Sequence, residues 1–154
     1  IEICPSNKKR RYISVSFSSV FCNCIFTIKK RLRIKMAKCL IVDDSKFMRK
    51  IIADILSTGG HVIVGEADNG QDGIDLYEKL KPELITMDIT MGGKDGINAV
   101  KEIKRKYPES KILVVSALNE NTIKLNDDKI NADAYITKPF TKEELLVLVN
   151  KILA

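Results

Sequence analysis

The sequence predicts an α/β fold: one open, parallel, five-stranded sheet covered on both faces by helices. Three observations predict it. From Met36 onward, short apolar runs alternate five times with stretches of helical periodicity. The first of these runs, residues 38–42, is almost continuously apolar, as a strand buried on both faces must be. Each pair of successive strands is joined through a helix, so right-handed crossovers and parallel pairing follow.

Residues 38–42 are the first strand. Residues 45–58 place Met48, Ile51, Ile52, Ile55 and Leu56 at helical spacing, and Gly59-Gly60 stops that helix. His61 stands at the entry to the second strand, 62–67, and reads as exposed rather than as a ligand. A second helix, 69/70–80, closes before Pro82. The third strand, 84–87, ends at Asp88. A Gly-containing loop, 91–96, leads into a third helix over 97–106 that Pro108 terminates. Residues 111–115 are the fourth strand. The fourth helix, 119–130, is polar and marginal, with Asn119, Asn121, Asn126, Asp127 and Asp128. Residues 134–137 are the fifth strand. Thr141 caps a last helix, with Glu144 three residues on completing a capping box. The expected architecture is flavodoxin-like (βα)5, doubly wound, with strand order 2-1-3-4-5. Neither internal repeat nor linker interrupts it.

Charge divides the chain. The formal net charge is +6, but residues 1–35 hold nine Lys and Arg against one Glu, leaving seventeen basic against nineteen acidic residues in 36–154. The body is therefore mildly acidic, and nucleic acid is not expected as its partner. The run Lys101, Lys104, Arg105, Lys106 reads as a solvated helix face, since no aromatics are interleaved with it. Residues 1–35 read as a basic N-terminal extension, non-native or a mis-assigned start, ahead of Met36-Ala-Lys-Cys-Leu-Ile-Val-Asp-Asp. A membrane segment over 12–28 is the competing reading. It lies at the short limit of about 17–25 residues for a span and is diluted by Ser and Asn. No small-residue cleavage site follows it. Cys4, Cys22 and Cys24 lie in this extension, so Cys39 alone remains in the body, where an intrachain disulfide is impossible. The body reads as cytoplasmic and Cys39 as a buried reduced thiol.

Ligands of open α/β sheets bind beyond the carboxyl ends of the strands. The residues at those ends are Asp43 and Asp44, Asp88, Ser116 and Lys138. Carboxylates a few ångströms apart repel one another unless a cation joins them. A hard divalent ion with oxygen ligands satisfies them, and Mg²⁺ is the candidate. Singly, each of these residues has an ordinary explanation as a helix cap, strand-end turn or surface lysine. Their joint placement is what carries the reading.

Four motifs, Val42-Asp43-Asp44-Ser45, Asp88-Ile89-Thr90-Met91, Val115-Ser116-Ala117 and Lys138-Pro139-Phe140, fall in order at successive strand ends. In this the sequence resembles the response-regulator receiver domains, close to the CheY-like stand-alone, chemotaxis-type members, over residues 36–154. The resemblance implies that Asp88 is the phosphoacceptor. Asp44, with Asp43, Asp88 and the backbone carbonyl of Thr90, would hold Mg²⁺. Lys138 and Ser116 would bind phosphoryl oxygens, small Ala117 leaving room, and the Lys138–Pro139 peptide would be cis. Ser116 drawn toward the phosphoryl would vacate space for Tyr135, changing the surface of the fourth helix, fifth strand and last helix. The implied partners are a sensor histidine kinase and a motor switch or adaptor protein on that surface, with a phosphatase as a further one. The domain would act as a monomer and as a signalling phosphoacceptor that catalyses its own phosphorylation and dephosphorylation, not as a conventional enzyme.

Other functions fit less well. A haloacid-dehalogenase-type phosphatase needs a second Asp two residues after the first, and Ser45 stands there instead. A flavin-binding version of the fold would find its phosphate repelled by Asp43-Asp44. A relay intermediate passing phosphoryl to a histidine phosphotransfer protein fits as well as a chemotaxis switch does. The start Asp-Asp-Ser-Lys-Phe-Met-Arg-Lys (43–50) resembles the chemotaxis regulators more. An inactive pseudo-receiver would keep the fold without the chemistry. Gly92-Gly93 departs from the family pattern, in which a Pro usually follows Met91, and Thr90 and apolar Leu118 both flank the route of an attacking water.

Overall fold

The computed structural model describes residues 35–92, 95–118 and 130–154. The N-terminal extension and nearly all of the expected fourth helix lie outside the described residues. Five parallel strands, β1 (Lys38–Val42), β2 (Val62–Ala67), β3 (Leu84–Asp88), β4 (Ile112–Ser116) and β5 (Ala134–Thr137), form one sheet in the order β2-β1-β3-β4-β5. The helices are α1 (Lys46–Thr58), α2 (Gly70–Leu80), α3 (Asp95–Lys106) and the C-terminal α4 (Lys142–Leu153). The expected order and parallel pairing are present. The third helix begins two residues earlier than expected, at Asp95, and the fourth strand runs one residue later, to Ser116.

The two-residue period of each strand splits the core into two layers. Leu40 and Val42, Ile85 and Met87, and Ile112 and Val114 face Ile74 and Tyr77 of α2 and Val100 and Ile103 of α3. Cys39 and Ile41, Leu84, and Leu113 and Val115 face Ile52 and Leu56 of α1 and Leu145 and Val149 of α4. Most of these side chains are fully buried, each contributing on the order of 1.5–3 kcal/mol of transfer free energy. Cys39 is a free, buried thiol, pushed up to about 12 by burial and by nearby Glu83, so it stays protonated.

Local chemistry sets the helix ends. Ser45 accepts from Met48 N, Asn69 from Asp72 N, and Thr141 from Glu144 N, while Glu144 returns a bond to Thr141 N. Gly59 caps α1, and Gly60, at φ +83°, turns the chain back so that His61 N donates to Leu56 O at 3.0 Å. That turn corrects the expectation for His61. The residue is 4% exposed, tucked beside Gly59, and both ring nitrogens lack partners among the described residues. Burial lowers its pKa, keeping the ring neutral.

Lys104 is a second correction: it is not part of a solvated face. Its ammonium lies 2.7 Å from Asp133 Oδ2, with a side chain only 10% exposed, because the end of α3 packs beside the start of β4. Asp133 also accepts from Ile112 N at 3.0 Å and pairs with Lys111 at 3.2 Å, fastening the amino ends of β4 and β5. Among the described residues, no helix is long and apolar enough to cross a membrane.

Burial of Asp133 opposes its ionisation, but the bonds from Lys104, Ile112 N and Lys111 outweigh it and hold the carboxyl below its ordinary 3.8. A depressed carboxyl contributes stability that is complete above the unfolded value and lost as pH falls through the folded one. Asp133→Asn is therefore expected to cost about 1 kcal/mol at neutral pH, the figure being modest because the cluster is partly solvated. The difference from wild type should shrink only below pH 3.8, as urea unfolding across pH would show.

Candidate functional site

The carboxyl ends of β1, β3 and β5 meet at one edge of the sheet. β1 hydrogen-bonds directly to β3, so Asp43 and Asp44, just past β1, come beside Asp88, the last residue of β3. Carboxylate oxygens of Asp43, Asp44 and Asp88 all lie within 4.8 Å of one another. Asp43 and Asp88 are buried, and Asp44 is exposed at the open side of the group. Lys138, just past β5, reaches across β4 to place Nζ 2.6 Å from Asp88 Oδ2 and 2.7 Å from Asp43 Oδ2. Its backbone N–H donates to Ser116 O at 2.7 Å, and the Lys138–Pro139 peptide is cis, as expected.

The electrostatics follow from that geometry. Desolvation alone would lower the pKa of Lys138, but hydrogen bonds to Asp43 and Asp88 prevail and raise it. The ammonium stays charged at any ordinary pH. One cation nonetheless faces three carboxylates, two of them out of water. The Asp44 carboxylate enters no hydrogen bond or ion pair among the described residues. An all-oxygen donor set with surplus negative charge and one open side fits a hard divalent cation.

Each acid is held differently. Asp43 N–H donates to Ala67 O at 3.1 Å, and Asp43 Oδ1 accepts from Ser45 N at 2.9 Å. Asp88 Oδ1 accepts from both the backbone N (2.7 Å) and the hydroxyl (2.6 Å) of Thr90. Both oxygens of Asp88 are thus oriented, one by Thr90 and one by Lys138.

The other expected residues stand one step away. Ser116 is buried at the end of β4, its Oγ accepting from Leu118 N at 2.9 Å. Tyr135 on β5 is half-buried, its hydroxyl donating to Ile130 O at 2.6 Å. Among the described residues, no hydrogen bond joins either of them to the carboxylates.

Two residues were not singled out from sequence. A Cβ on Gly96 would lie 2.1 Å from Asp88 O and 2.6 Å from Ile89 Cα, so only glycine lets α3 start this close behind Asp88. Its signal was the Asp95-Gly96 pair opening a helix, where Gly is otherwise unfavourable. Arg49, in the first turn of α1, donates from Nη1 to Asp43 O at 2.7 Å and from Nε to Glu66 Oε2 at 3.2 Å. Side chains on a helix lean toward its N-terminus, and that direction was the available signal.

A family model described as the response regulator receiver domain matches residues 39–150. The chemotaxis protein CheY of Thermotoga maritima is 40% identical over 115 residues, covering 75% of this chain and 96% of that protein. CheY of Bacillus subtilis is 40% identical over 116 residues, covering 75% and 97%. Among solved structures, a CheX–CheY–BeF3–Mg²⁺ complex from Borrelia burgdorferi matches with a TM-score of 0.69 and 29% identity, covering 77% of this chain and 89% of that one.

Removing the ammonium should leave Asp43 and Asp88 facing each other uncompensated. Lys138→Met is expected to lose about 3 kcal/mol in urea unfolding without divalent ions, the usual scale for breaking a buried pair. An unchanged midpoint would mean that the ion pairs contribute nothing net.

Proposed function

This chain belongs to the response regulator receiver domains, and on that premise we propose that Asp88 accepts a phosphoryl group from a partner kinase and thereby switches a protein-binding surface. The observation that carries the reading is the Lys138–Asp88 ion pair at 2.6 Å beside two further carboxylates at one sheet edge.

An Asp88 carboxylate oxygen attacks phosphorus in line. The new O–P bond forms as the donor's P–N bond, or the P–O bond of a small acyl phosphate, breaks and its electron pair leaves with the donor. Positioning and charge stabilisation supply most of such catalysis. Lys138 pairs with a phosphoryl oxygen, and Ser116 donates its hydroxyl proton to another. Asp43, Asp44, Asp88 and the Thr90 carbonyl are the residues that would hold Mg²⁺. Bound there, the ion supplies charge neutralisation between the carboxylates and the incoming phosphoryl. Ser116 moving toward the phosphoryl opens space that Tyr135 enters, which changes the face made by the segment after β4, by β5 and by α4.

The partner assignments are a chemotaxis-type histidine kinase upstream and a motor switch or adaptor protein downstream, with residues 36–154 as a monomeric cytoplasmic receiver and residues 1–35 as an extension to it. The CheY proteins among the relatives favour this over a phosphorelay intermediate. An inactive pseudo-receiver is the reading to which a failed phosphorylation would lead.

The test is intact-mass measurement of the full chain after acetyl phosphate, with and without Mg²⁺. A gain of one phosphoryl that needs Mg²⁺ and is absent in Asp88→Asn is expected. No gain in folded wild-type protein would turn the reading to a pure interaction module. Leu118, 45% exposed beside Ser116, should impede the attacking water. Leu118→Glu is expected to shorten the phosphorylated lifetime severalfold, followed as loss of the added mass; an unchanged rate would remove that role.

A further inference from the structure

Arg49 occupies a place that local electrostatics disfavours. It lies in the first turn of α1, where the helix dipole presents partial positive charge and repels a cation. It also adds positive charge beside a cluster whose proposed ligand is a cation. Yet its side chain is only 14% exposed and makes directed bonds: Nη1 to Asp43 O at 2.7 Å, and Nε to Glu66 Oε2 at 3.2 Å. Asp44 O lies 3.5 Å from the same Nη1, at the outer limit of a bond. Glu66 on β2, paired in register with Ile41, offsets the charge. A residue that breaks a local rule while making such specific contacts has a use for them.

That use follows from how the two acids are held. The Asp43 amide and carboxylate are fixed by Ala67 O, Ser45 N and Lys138. Among the described residues the Asp44 side chain has no such partners, so there its direction depends on its backbone alone. Arg49 clamps that backbone from the β2 side, through the carbonyl that begins the Asp43–Asp44 peptide. We propose that Arg49 is a positioning residue for the metal loop. By tying the Asp43–Asp44 backbone to Glu66 of β2, it aims the Asp44 carboxylate into the acidic cluster and so sets the affinity for a divalent cation. The inference rests on the proposed Mg²⁺ role of that cluster and extends it to a residue that touches neither metal nor phosphoryl.

The sign of the effect separates this role from its rivals. Charge alone predicts that losing Arg49 tightens cation binding, because a repelling neighbour is gone. A merely structural role predicts a lower unfolding midpoint with unchanged affinity in the folded protein. Positioning predicts weaker binding, on the order of tenfold, as for other residues that orient metal ligands. The experiment is calorimetric titration of the full chain with MgCl₂ alone, beside thermal unfolding without Mg²⁺, for wild type, Arg49→Gln and Arg49→Lys. Lys keeps the charge and the aliphatic stem but not the two-pronged reach, so it too should bind Mg²⁺ more weakly, and it serves if the Gln variant fails to fold. Affinity unchanged or tightened in either folded variant overturns the proposal while leaving the proposed function standing. A wild-type chain that binds no Mg²⁺ overturns both.

Discussion

A single ammonium spans the carboxyl edge of the sheet, with Lys138 Nζ 2.6 Å from Asp88 and 2.7 Å from Asp43. Charges removed from water are costly unless paired and hydrogen-bonded, and here pairing is incomplete, since Lys138 pairs with only two of the three carboxylates. The surrounding structure serves to hold that arrangement. β1 and β3 are adjacent, so their terminal acids meet. β4 lies between β3 and β5, and Ser116 O fixes the amide of Lys138 so that its side chain spans the gap. The glycine at 96 lets α3 start against the carbonyl of Asp88. The fully buried central strands β3 and β4 supply the rigidity that keeps mutually repelling groups together.

That division of labour explains a contrast between the two ends of the sheet. At the amino end, Asp133 meets both Lys104 and Lys111, so the carboxylate is fully compensated. Such a cluster closes the fold and asks for nothing more. At the carboxyl end the balance is left negative, and Asp44 stands exposed without a partner among the described residues. Local inconsistency of this kind marks the places where stability yields to function.

Most of the fold was legible because it is written in short-range patterns. Five apolar runs, the helical intervals around them and the cap at Thr141 are properties of neighbouring residues, and among the described residues the structure reproduces them to within one or two positions. The candidate site was legible for a related reason: strand ends in this topology converge, so Asp43, Asp44, Asp88 and Lys138 could be brought together from their order alone. What escaped depends on contacts between distant elements. His61 is buried because the turn at Gly60 folds it back against α1. Lys104 is paired because α3 ends beside β4 and Asp133, twenty-nine positions on. Arg49 gains its role from Glu66 on another strand, and Gly96 from a backbone that no pattern of neighbours reveals.

In the proposed reading, the link from chemistry to surface also turns on hydrogen-bond capacity. A hydroxyl has one proton to donate and two lone pairs to accept. Ser116 Oγ already accepts from Leu118 N, so it can donate to a phosphoryl oxygen without releasing that amide. The movement of Ser116 toward a phosphorylated Asp88 would then draw Leu118, and the chain leading from it, in the same direction. Phosphorylation adds roughly one further negative charge and strong acceptor oxygens at Asp88. Lys138 would follow that charge, loosening its hold on Asp43, one of the carboxylates that would hold Mg²⁺. Tyr135 lies one strand away and is only half-buried, its hydroxyl on the carbonyl of Ile130 rather than in the site. In the proposed reading Tyr135 would answer a movement of Ser116 without itself binding the phosphoryl, and one site would then set both the chemistry and the shape of a separate face.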